Sequence, residues 1–118
     1  MEYKRSDRVA DLLHREIAEL VFRRLKDPRV ANITISGVQL SGDLRNARVF
    51  FCIMGRDADE ATRNNALRGL DNAKGFMRLE LGRRLSLRYV PRLEFEYDTS
   101  FEYGDKMERL LKELHEDE

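Results

Sequence analysis

The sequence predicts an α+β domain with a three-stranded sheet covered by helices on one face. Two observations lead there. Apolar residues recur at helical spacing in some stretches and alternate with polar residues in three others, in the order helix, strand, strand, helical region, strand, helix. All three strands alternate, so the sheet should have one covered face and one polar, partly exposed face. The 118 residues make one domain, 1–118. A chain of this size can bury roughly two thirds of its unfolded surface without disulfide or metal staples.

Ser6 is the expected N-cap of the first helix, whose residues Val9, Leu13, Ile17, Leu20 and Val21 fall on one face. Pro28, in "DPRV", ends it by disfavouring helical geometry at Asp27. Arg8, Arg15 and Lys26 project within about 20° of one another, away from the apolar face. A solvated charged face explains them as well as a binding stripe does. In "NITISGVQL", Ile33 and Ile35 share a face that Val38 and Leu40 keep only if Gly37 introduces a bulge. "SGDLRN" turns the chain. Ala47, Val49, Phe51 and Ile53 then alternate with Arg48, Phe50 and Cys52, which makes a hairpin.

Asp57 with Glu60 resembles a capping box and opens a helix near residue 58. After the long helical region, "RLEFEYD" sets Leu93, Phe95 and Tyr97 inward, with Pro91 at its start, where a missing donor is tolerated. Asp105 with Glu108 opens a last helix carrying Met107, Leu110, Leu111 and Leu114. Residues 105–118 are therefore expected to form a C-terminal helix and a frayed acidic tail.

Charge is segregated along the chain. The 22 basic and 22 acidic residues cancel, yet Lys74 to Arg92 carries six basic residues against Glu80 alone, a local net of +5. From Glu94 onward, ten acids face three bases, a net of −7. Such a surface can attract phosphate at one place and repel it at another. The single cysteine, Cys52, cannot form an internal bridge and fits a reducing compartment. No apolar run is long enough to span a bilayer, and the amino end is charged where a signal peptide turns apolar. A cytoplasmic location is expected.

Catalytic patterns are missing. Asp57, Asp59 and Glu60 could be read as a metal site, or as a nuclease centre, but carboxylates in a first helical turn are favoured simply by the helix dipole. His14 and His115 have no ligand-spaced partners and read as surface histidines. There is no nucleophile elbow or phosphate loop. No enzyme activity, metal or cofactor is expected.

The stretch "GLDNAKGFMRLELG", 69–82, carries a helical stripe through Leu70, Ala73, Met77 and Leu81, interrupted by Gly75. Helix from about 58 to 86 would be a rod of roughly 43 Å. It would overhang a domain roughly 35 Å across. A bend is expected at "DNAKG", because Asn72 and Gly75 are weak helix formers. Such a bend exposes a helix start that attracts anions, and Lys74 and Arg78, four apart, could reach one phosphate backbone. A kink that only fits the helix to the sheet is the alternative.

The chain resembles the bacterial ribosome-binding factor A family over nearly its whole length. The resemblance rests on "RSDRVADLLHREIAELV", "LKDPRV", "ITISGVQLSGDLRNARVFF" and "NAKGFMRLELGRRLSLRYVPRLEFEYDTS", in that order and spacing. It implies a type II KH-like domain, helix-strand-strand-helix-kink-helix-strand. In RNA-binding KH domains a GxxG loop joins the two helices and clamps four backbone nucleotides. The family replaces that loop by an Ala-x-Gly kink, here Ala73, Lys74 and Gly75. The resemblance further implies a cold-shock-associated, non-catalytic factor. It would bind free 30S subunits, but not assembled ribosomes, and assist late maturation and processing of 16S rRNA near its 5′-terminal helix. Ribosomal proteins and assembly GTPases would be further partners, and the chain would act as a monomer without a membrane. The residues expected to meet RNA phosphates are Lys74, Arg78, Arg83, Arg84 and Arg88, with Arg5, Arg8 and Arg15 from the first helix beside them.

Overall fold

Helix α1 (Arg5–Arg23) forms because its apolar residues recur every three to four positions, burying Val9, Leu13, Ile17, Leu20 and Val21 on one face. A 3₁₀ turn at Pro28–Val30 leads into strands β1 (Ile33–Leu40) and β2 (Asn46–Ile53). Helices α2 (Glu60–Asn72) and α3 (Lys74–Arg84) and strand β3 (Arg92–Tyr97) follow. The computed structural model describes residues 4–54, 58–100, 111, 112 and 114. Asp57, His115 and nearly all of the expected C-terminal helix lie outside them.

The sheet order is β1-β2-β3. β1 and β2 pair antiparallel, and β2 and β3 pair parallel. A parallel pair needs a long crossover, which α2 and α3 supply. The bulge expected at Gly37 is present: Ile35 pairs with Phe51 and Gly37 with Phe50, leaving Ser36 as the extra residue. It keeps Ile35 and Val38 on one face, and its hydroxyl donates to Asp98 Oδ2 at 2.6 Å. Leu13, Ile17 and Leu20 of α1 share one core with Val49 and Phe51 of the sheet, Leu70 of α2 and Met77 of α3. On the polar face, Arg48 makes a two-pronged bond to Glu96, at 3.2 and 2.7 Å, and lies over the Phe50 ring.

Four expectations are corrected. The N-cap of α1 is Lys4, not Ser6, because the Asp7 carboxylate accepts the Lys4 backbone N–H at 3.0 Å and fixes the start there. Helix α2 is capped by Asp59, whose side chain accepts from the Thr62 N–H at 2.8 Å. The helical region does break within "DNAKG", but at Ala73 (φ −91°, ψ −3°), which ends α2 and caps α3. Gly75 sits in the first turn of α3, and a methyl group added there would meet nothing within 4 Å. The fold needs the other glycine, Gly69, which is buried, and whose added Cβ would lie 2.8 Å from Val30 Cγ1. Finally, His14 is not a free surface residue: its Nε2–H donates to the Ile35 carbonyl at 2.9 Å and ties α1 to β1 beside the bulge.

Candidate nucleic-acid interface

The basic residues singled out in the sequence have different neighbours. Lys74, at the start of α3, places its ammonium 3.0 Å from Asp71 Oδ1. Arg78 uses Nε and Nη2 to donate to the carbonyls of Pro91 and Val90, at 3.2 and 3.1 Å. It thereby ties the segment between α3 and β3 back onto the helix. Arg84 is half-buried among three carboxylates, bonding Glu16 at 3.1 Å and lying 3.6 Å from both Glu19 and Glu80. The Glu16 bond is the largest influence holding its guanidinium charged, with its pKa raised above the ordinary value. Arg83 is 70% exposed, with Glu80 at 3.7 Å. Arg5, Arg8 and Arg15 are all exposed on α1.

Two of these residues, 83 positions apart in sequence, meet in one groove. Arg5 and Val9 form its α1 wall, Asp43 and Leu44 its β1–β2 wall, and Arg88 and Tyr89 its third side. The groove has a volume of about 220 Å³. Tyr89 is 59% exposed. The guanidinium carbons of Arg45 and Arg88 lie 5.6 and 5.5 Å from its ring centroid, within cation–π range. Sequence reasoning did not single out Tyr89 or Arg45. The signal for Tyr89 was "RYVP", an aromatic flanked by arginine where strand alternation has not yet begun; Arg45, in the turn "SGDLRN", carried none.

The β1–β2 wall is built by side chains bonding to their own loop. The Ser41 hydroxyl donates to Asp43 Oδ1 at 2.6 Å, the Arg45 N–H donates to the same oxygen at 3.1 Å, and the Asn46 N–H donates to Ser41 Oγ at 3.0 Å. These bonds, the one from Ser41 foremost, hold the Asp43 carboxyl below its ordinary pKa. They also hold Leu44 at φ 63°, the one positive φ among the described non-glycine residues. Among the described residues, no group of histidine, cysteine or carboxylate side chains is arranged to hold a metal. No helix among them is long and apolar enough to cross a membrane.

Residues 5–111 match the family model described as ribosome-binding factor A. The chain belongs to the ribosome-binding factor A family. A ribosome-binding factor A of Syntrophobacter fumaroxidans is 64% identical over 118 residues and all of both chains. That of Syntrophus aciditrophicus is 50% identical over 99% of this chain and 93% of its own. The crystal structure of ribosome-binding factor A from Thermus thermophilus matches with a TM-score of 0.68 and 30% identity, over 78% of this chain and 93% of that one. A Thermus thermophilus homology model fitted into the cryo-EM map of a 30S complex of the factor matches with a TM-score of 0.60 and 32% identity, over 76% and 91% of the two chains. The observed element order, with a one-residue kink between α2 and α3, is the arrangement the resemblance implied.

Proposed function

We propose that this chain binds the free small (30S) ribosomal subunit through rRNA phosphates, acting as a cytoplasmic monomer. In this reading it assists late maturation and processing of 16S rRNA near the 5′-terminal helix and catalyses no reaction itself. The observation that carries the RNA contact is that Arg5 and Arg88 line one groove, while Arg45 approaches the Tyr89 ring at its side, its guanidinium carbon 5.6 Å from the centroid. The relative fitted into a 30S complex supports the choice of partner. Arginine and lysine on such a surface fix position and register without reading sequence. Arg83, Arg8 and Arg15 extend the positive field. Lys74 adds contacts at the kink through the donors that Asp71 leaves over. Arg78 and Arg84 hold the scaffold on which the others are displayed.

Sedimentation or filter binding with purified small subunits tests this reading. Converting Arg5 and Arg88 to Glu together should weaken binding and flatten its salt dependence by about 0.7 to 0.9 for each phosphate that is no longer neutralised. Lys74→Glu tests the kink in the same way. Unchanged affinity and slope in both the pair and the single variant would refute the proposed surface, and rRNA cleavage during long incubation would refute the non-catalytic role. A protein-binding adaptor is the second reading, favoured by Phe22 and Leu79, which are 84% and 58% exposed. Binding that persists at high salt would select it.

A further inference from the structure

We infer that the groove beside Tyr89 takes one unstacked nucleotide of single-stranded RNA, with the base against the Tyr89 ring and the phosphate among Arg5, Arg45 and Arg88. This rests on the rRNA-binding reading above and adds to it a contact to a base.

The composition of the groove favours a base over an ion or a peptide. A phosphate alone would need only the arginines, yet the site also holds an exposed aromatic ring and the apolar side chains of Val9 and Leu44. A nucleobase is a planar π-system that stacks on such a ring whatever its identity. The volume of about 220 Å³ is far more than a single water needs and leaves room for a planar base. Asp43 stands in the wall with its carboxylate charged, which repels a phosphate from that side. It would accept the N–H donors that base edges carry.

The groove is already formed before any ligand arrives. Leu44 is held in the left-handed region by the bonds of Ser41, Asp43 and Arg45, a conformation that persists only where the surroundings over-determine it. Arg78 fixes the opposite wall through the Val90 and Pro91 carbonyls. The guanidiniums at the Tyr89 ring do not block it, because an exposed cation–π contact is weaker than a stacked base. A guanidinium displaced from the ring is left beside the nucleotide's own phosphate.

The test compares an RNA octanucleotide with the same octanucleotide bearing abasic sites, titrated onto the full chain at low salt. The intact RNA should bind about tenfold more tightly, the usual effect of one base stacked on an aromatic ring. Tyr89→Ala should erase that advantage while leaving the salt slope unchanged. Tyr89→Phe should retain it, and Tyr89, being exposed, leaves the fold intact when truncated. Equal binding of the two RNAs, or an advantage that survives Tyr89→Ala, would overturn the pocket while leaving the phosphate reading standing. If neither RNA binds and small-subunit binding shows no salt dependence, the rRNA reading falls and the pocket falls with it.

Discussion

Placing alanine at Gly69 and at Gly75 should move stability in opposite directions, although the two glycines are only six residues apart and both are helical. At Gly69 the new Cβ would lie 2.8 Å from Val30 Cγ1 and 3.3 Å from Arg29 Cβ. Val30 is 2% exposed and belongs to the 3₁₀ turn that Asp27 caps by accepting the Arg29 N–H, so it cannot swing aside. Overpacking of this kind costs about 1 to 3 kcal/mol. Alanine recovers about 1 kcal/mol of helix propensity, which leaves Gly69→Ala destabilised by about 0 to 2 kcal/mol, about 1 at the middle of the range. At Gly75 the methyl group meets nothing and the backbone is helical. Only the propensity gain applies there, about 0.5 to 1 kcal/mol. Urea unfolding should therefore separate the two variants by about 2 kcal/mol without changing the slope against denaturant. Their melting temperatures should differ by roughly 6 to 10 °C for a domain of this size. A Gly69→Ala protein as stable as the Gly75→Ala protein, or a Gly75→Ala protein less stable than the parent, would refute the reasoning.

The ion pairs of Arg84 give a second prediction. A double-mutant cycle between Arg84 and Glu16 should show favourable coupling at low salt that shrinks toward 1 M salt, where the screening length is about 3 Å; coupling that does not respond to salt would refute a screened ion pair. Asp98 gives a third. Burial pushes its carboxyl up, but hydrogen bonds from Ser100 and Ser36 outweigh burial and leave the pKa below the ordinary 3.8. Its stabilising contribution is then fully present above that ordinary value and is lost as pH falls through the lowered folded value. Acid titration of stability should therefore show a shallower decline in Asp98→Asn than in the parent below about pH 4, and identical acid limbs would exclude the linkage.

Features of short range were legible in the sequence. The bulge followed from a two-residue period that Gly37 interrupts, and Ser36 takes up the extra place. The helix break followed from length and weak helix formers. Its position did not, because propensity marks Gly75 as weak without showing that the backbone turns at Ala73. The caps were missed for a related reason. Asp7 and Asp59 act on N–H groups three residues away, and several neighbouring side chains could have served equally well. What depends on distant pairing was hidden: the His14 bond to Ile35 spans 21 residues, and the Arg84 bond to Glu16 spans 68. Of the candidate interface, Arg5 and Arg88 were visible as charges. Tyr89 and Arg45 gained meaning only once the parallel crossover brought residue 89 beside the β1–β2 loop.

That crossover also has a consequence in time. In the finished sheet β2 is the central strand, yet during synthesis it is an edge, because β3 emerges only after the 38 residues, 54–91, that contain α2 and α3, some two to eight seconds at ordinary translation rates of about 5 to 20 residues per second. Throughout that interval the β2 backbone groups that will pair with Arg92 through Tyr97 have no partner in the chain. Arg48, in the middle of β2 and outward-facing, puts a charge on this temporary edge, the usual guard against pairing with another nascent chain. The residue that later clasps Glu96 thus has an earlier duty, performed before its partner has been made.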